Sequence, residues 1–172
     1  MTIQINYKNS SPQKHSTNLV LFIDENFNIS GLKKHISEKE FSYINDLLKT
    51  CDLKKNLLVF EVNSKKKIIL ISIKKSLEIT DVENLGAEFY SYINHINKGE
   101  FTINADSIKS KIEDFIGYFL HGLKLKSYEF NIYKSKKEKK LFLLNIIGKK
   151  SKLTVKNELK FKALEEGSFY AR

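Results

Sequence analysis

The chain has one cysteine, one proline and no tryptophan, and its seven glycines never gather into a cluster. A lone thiol, Cys51, excludes an internal disulfide, and a cytoplasmic setting is the simplest fit. Scattered glycines leave no Walker loop, no dinucleotide fingerprint and no nucleophile elbow. The four histidines, His15, His35, His95 and His121, form neither an HExxH pair nor a Cys/His cluster, so no metal site is read from the chain. No apolar stretch reaches the roughly 20 residues needed to span a bilayer. Residues 1–16 are polar and lack a signal-peptide core. Arginine is nearly missing too. Of 30 basic residues 29 are lysine, and Arg172 alone has the planar fork suited to bidentate reading of phosphates and bases.

What is present is a core. Hydrophobic residues make up 41% of 172 positions, enough for one domain. The centre is Lys67–Ile73 (KIILISI), too short for a buried helix and therefore a strand covered on both faces. Leu57–Asn63 (LLVFEVN) precedes it across Ser64, Lys65 and Lys66, which predicts an antiparallel hairpin. Leu19–Ile23, Phe101–Asn104 and Leu141–Ile147 are further strand candidates, and residues 1–17 read as a frayed terminus or an edge strand.

Helices are predicted between these runs. Ser37-Glu38-Lys39-Glu40 is a capping box opening a helix to about Cys51, where the thiol serves as a small packing residue. Thr80-Asp81-Val82-Glu83 reads as a second box, with Lys98-Gly99 closing its helix. Asp106 or Ser107 is placed to cap a third helix that buries Ile108, Ile112, Phe115, Ile116 and Phe119 and runs to about Tyr128, with His121 a structural histidine. Thr154 or Asn157 begins a last helix with a small-residue seam at Leu159, Ala163, Gly167 and Ala171. No stop signal precedes Arg172, which reads as a cut through a longer protein. Strands that return through helices define an α/β fold with a mixed sheet.

The net charge of +10 is uneven. Residues 124–162 hold 13 lysines against three acids and carry the whole excess. The candidate basic patch is Lys124, Lys126, Lys134, Lys136, Lys137, Lys139, Lys140, Lys149, Lys150 and Lys152. It reads either as a solvated face or as a surface for nucleic acid. Aromatics interleave with lysines over Lys124–Lys134, a pattern that suits base stacking and equally suits packing of a helix end by Tyr128, Phe130 and Tyr133.

Two stretches carry a family resemblance. GLKLKSYEFNIYK presents Gly122, Leu125, Tyr128, Phe130, Tyr133 and Lys134 in the frame of the leucyl aminopeptidase (cytosol aminopeptidase) family, and ALEEGSFYAR presents Ala163, Glu166, Gly167, Ala171 and Arg172. The chain departs from the family at Ser168, Phe169 and Tyr170, where aliphatic residues or Asn are usual. The resemblance implies a macro-domain-like three-layer fold over 1–153, with 154–172 starting the helix that leads to a catalytic domain. It implies a non-catalytic N-terminal domain that shapes access or supports a hexamer in a cytosolic peptidase. The parent would use two divalent metals, zinc or manganese, to activate water. The motif that holds those metals is absent from this chain, so no residue here inherits a catalytic, metal or cofactor role. Two alternatives remain: a nucleic-acid-binding module using 124–162, and a stand-alone macro-type domain for an ADP-ribose-like ligand.

Overall fold

A computed structural model describes residues 2–8, 18–96, 99–128 and 141–170. Six strands form one sheet: β1 (Thr2–Lys8), β2 (Asn18–Asp24), β3 (Leu57–Asn63), β4 (Lys66–Ile73), β5 (Gly99–Asn104) and β6 (Leu141–Ile147). Their order is β1-β6-β5-β2-β4-β3, parallel throughout except for the antiparallel edge strand β3. Five α-helices accompany them: α1 (Glu38–Leu48), α2 (Ile79–Asn94), α3 (Phe115–Ser127), α4 (Lys152–Lys156) and α5 (Glu158–Tyr170). The mixed sheet between helical layers is the macro-domain-like, three-layer α/β architecture that the sequence implies.

Strand alternation divides the core in two. On one face Val20, Phe22, Ile69, Ile71, Phe101, Ile103, Phe142 and Leu144 lie under α2 and α3. There Phe22 meets Phe115 and Phe119 edge-on, with ring centroids 5.4 Å apart in both pairs. On the other face Leu19, Leu21, Ile68, Leu70, Leu58 and Phe60 are covered by Leu32, Ile36 and Ile44, from a 3-10 turn (Ser30–Lys34), its exit and α1. Helices α2 and α3 approach unusually closely because Gly86 and Gly122 present no side chain at the crossing. A Cβ on Gly86 would lie 1.9 Å from the Phe119 carbonyl oxygen, and one on Gly122 would lie 2.0 Å from that of Glu83.

The sheet opens between β2 and β5. Only Leu19–Thr102 and Val20–Ile103 pair across that seam. Beyond them the Phe22 N–H donates instead to the Ser107 hydroxyl, at 2.9 Å. Here the connections also diverge: β2 leads through α1 towards β3 and β4, while β5 leads through α3 to β6 on the other side. Such a switch point leaves a crevice at the carboxyl ends of the strands.

Several element boundaries differ from the sequence expectation. Strand β4 starts at Lys66, so only Ser64 and Lys65 turn the hairpin; Asn63 Oδ1 accepts from the N–H groups of Lys65 and Lys66 at 2.8 and 2.9 Å, which supplies the turn that no glycine provides. The Ser37–Glu40 box is present, but α1 ends at Leu48 before reaching Cys51. The box of α2 is Glu78 with Asp81, not Thr80 with Glu83, because Glu78 already offers a carboxylate at the cap and Glu83 is occupied by His121 at 2.8 Å. That helix ends at Asn94, and Gly99 pairs with Phe142 as the first residue of β5 rather than capping it. Helix α3 begins at Phe115, not near Asp106 or Ser107. Asn104 closes a short turn at 105–107 and the Ser107 hydroxyl donates to the Asn104 carbonyl, so neither expected cap is available for a helix. The end at Ser127 with Tyr128 as cap matches the expectation.

Candidate interaction surface on the terminal helices

The last helix is two helices, broken at Asn157, and one buried carboxylate ties both to the domain. Asp114 adopts a left-handed backbone (φ 53°), which its short side chain tolerates. Its Oδ1 caps α3 by accepting from the Gly117 N–H at 3.2 Å and also accepts from the Thr154 hydroxyl. Its Oδ2 accepts from Asn157 Nδ2 at 2.9 Å. Beside this clamp Phe161 is buried over Gly117, where an added Cβ would sit 2.2 Å from the ring. Tyr118 meets Phe161 edge-on at 5.2 Å, and Lys124 Nζ pairs with Glu165 at 2.8 Å. Tyr128 stacks on Phe169 at 4.3 Å, so it packs a helix end as one sequence reading holds.

The clamp leaves the opposite side of these helices bare. The seam expected to pack closely turns outward instead. Leu159 is 81% exposed, Ala163 is exposed, and nothing lies within 4 Å of a Cβ on Gly167. Phe161 takes the inward position, where its ring fills the hollow over Gly117. Leu153, Val155, Leu164 and Tyr170 extend the outward apolar surface, with Tyr170 91% exposed. Ala171 lies outside the described residues. Asp114 was not singled out in the sequence, although an Asp three positions before a glycine and directly before an apolar run is a legible cap signal.

The basic stretch is divided rather than gathered. Helix α3 runs back across the sheet from the carboxyl ends of the strands, which puts Lys124 and Lys126 near the opposite edge. Lys149, Lys150 and Lys152 follow the carboxyl end of β6. Lys124 is held by Glu165, and the Lys150 ammonium by the Ile108 carbonyl. Lys134, Lys136, Lys137, Lys139 and Lys140 lie outside the described residues, as do Phe130 and Tyr133.

Among the described residues no group of three or more His, Cys, Asp or Glu is placed to hold a metal ion. His121 is buried between α2 and α3, with Nδ1 on Glu83 and no hydrogen-bond partner for Nε2 among the described residues. Cys51 packs against the core beneath α1. No helix among the described residues is long and apolar enough to cross a membrane.

No family model matches the chain, and no curated protein does. Solved structures do. A mutant of tomato leucine aminopeptidase superposes with a TM-score of 0.61 at 19% identity, over 86% of this chain and 32% of that one. The fold is that of one part of a leucine aminopeptidase. The cytosol aminopeptidase of Coxiella burnetii matches with a TM-score of 0.52 at 13% identity, over 90% of this chain and 30% of its own. The bottromycin maturation enzyme BotP, in complex with Mn, matches with a TM-score of 0.56 at 6% identity, over 87% and 30%. This chain therefore spans about a third of the length of the aminopeptidase structures it resembles.

Proposed function

We propose that this chain is the non-catalytic, N-terminal domain of a cytosolic, metal-dependent leucyl aminopeptidase. The superposition on tomato leucine aminopeptidase over 86% of the chain but only 32% of that structure carries the reading. The two divalent metals and the water they activate belong to the remainder of such an enzyme, and the described residues here supply no ligand set. The role of this part is architectural. Asp114, Phe161 and Glu165 hold α4 and α5 at a fixed angle, and their outward face from Leu159 to Tyr170 is the surface on which the catalytic part docks. Exposed apolar surface of this kind marks interaction sites.

The test is to sequence the gene past the Arg172 codon and assay both products. The reading requires the frame to continue into a segment rich in Asp, Glu and Lys ligands. The full product then hydrolyses leucine p-nitroanilide with Mn or Zn, and residues 1–172 alone do not. Metal-dependent hydrolysis by residues 1–172 alone refutes the assignment, and so does a frame that closes at once.

A further inference from the structure

The crevice at the switch point has a chemistry that the architectural role does not use. Its volume is about 360 Å³, within the range of small-molecule sites. Ile23 and Leu32, from one face of the sheet, give it apolar lining, and Asp24, Asp106, Lys33, Lys34 and Lys109 give it charge of both signs. Each carboxylate is fixed by the backbone through one oxygen. Asp24 Oδ1 accepts from the N–H groups of Asn26 and Asn28 at 3.1 and 3.0 Å, and Asp106 Oδ1 accepts from the Lys150 N–H at 3.2 Å. The second oxygen of each has no hydrogen-bond partner among the described residues. Lys34 and Lys109 have neither a hydrogen bond nor an ion pair there. Lys109 lies over Gly31, with Nζ 3.3 Å from where a Cβ would be, so its ammonium reaches from the β5 side of the crevice to the β2 side.

Pre-oriented acceptors and unpaired ammonium groups, facing one cavity in comparable number, do not suit a simple anion. A phosphate would gain the lysines and be repelled by both carboxylates. They suit a ligand that carries both signs itself. We propose that the crevice binds a zwitterion, a free amino acid or a dipeptide with an apolar side chain. Its α-ammonium donates to Asp24 and Asp106, its carboxylate accepts from Lys34 and Lys109, and its side chain rests on Ile23 and Leu32. Charge-assisted bonds at both ends select for the two termini together. The inference is independent of the aminopeptidase reading and can be tested on this chain alone.

The experiment is calorimetric titration of the chain with L-leucine and leucyl-leucine, against N-acetyl-leucine, which lacks the ammonium, leucinamide, which lacks the carboxylate, and inorganic phosphate. Saturable binding of leucine or leucyl-leucine is expected, and the stronger of the two identifies the source. Either blocked analogue binds at least about 10-fold more weakly. The exposed-site variants K34Q and K109Q, together with D106N, which keeps its acceptor for the Lys150 N–H, each weaken binding about 10-fold, while K152Q does not. The proposal is overturned if neither zwitterion saturates by about 10 mM. It is equally overturned if the blocked analogues or phosphate bind as well as the zwitterions, or if K152Q weakens binding as much as K109Q.

Discussion

Replacing Gly86 with alanine tests how the two inner helices meet. The new methyl group would lie 1.9 Å from the Phe119 carbonyl oxygen and 2.9 Å from the Leu123 nitrogen, where ordinary contact begins at 3.4 Å. Both obstacles are backbone of α3, so no rotamer change relieves them, and the helices must separate by about 1.5 Å. Separation loosens Phe89 and Phe119, both fully buried between helix and sheet. Overpacking costs about 3 kcal/mol at the upper end of its usual range, and the better helix propensity of alanine returns about 1 kcal/mol. A net loss of about 2 kcal/mol follows, or a melting temperature lower by roughly 4–8 °C for a domain of this size. G167A is the matched control. Nothing lies within 4 Å of its Cβ, so only the propensity term acts, and the variant gains up to about 1 kcal/mol. Urea unfolding followed by circular dichroism measures both. A G86A midpoint at or above that of the parent would refute the close crossing of α2 and α3.

Asp114→Ala removes a cap and two further hydrogen bonds to a buried carboxylate, a loss of about 2–3 kcal/mol. Amide exchange should speed across 152–170 more than across β4, and uniform acceleration would argue against a local clamp. His35 is held below its ordinary pKa by burial first and by Lys34 second, with Asp106 opposing. Folding thus favours its neutral form: the stability it contributes is complete above pH 6.5 and drains away as pH falls towards the lowered value. H35N should flatten the stability profile in that window. Tyr7 behaves in the opposite sense. Burial, followed by the charges of Glu158, Asp114 and Glu165, pushes its phenol from 10.0 up to about 12, so its contribution holds below pH 10 and is lost as pH climbs through that interval. Y7F should show less alkaline loss, and an unchanged alkaline limb would place Tyr7 in water.

Most of the architecture could be read from short-range pattern. KIILISI and LFLLNII lie in the sheet interior because strands covered by helices on both faces need unbroken apolar runs. Ser37 and Glu40 cap α1 because that motif is local and reciprocal. The misplacements arise where a distant partner decides. Glu83 is drawn to His121 across 38 positions, and Ser107 to the N–H of Phe22 across 85, and neither attraction shows in the local sequence. The seam on α5 has the small residues of a close contact, yet Phe161 decides which face turns inward. The crevice was equally hidden. Asp24, Lys34, Asp106 and Lys109 are ordinary turn and surface residues along the chain, and only the parting of β2 from β5 brings them to one cavity.

The place of β1 has a consequence for how the domain is made. Thr2 stands opposite Leu141 and Lys8 opposite Ile147, and among the described residues β6 is the one strand that β1 pairs with. Of these six strands β1 is therefore the earliest made and the last to find its neighbour. Its apolar positions, Ile3, Ile5 and Tyr7, must wait unpaired until β6 emerges, while the β3–β4 hairpin closes within a few residues of its own turn. Folding of this sheet during synthesis starts at the β3–β4 hairpin, and β1 is the strand that chaperones would have most time to meet before β6 arrives.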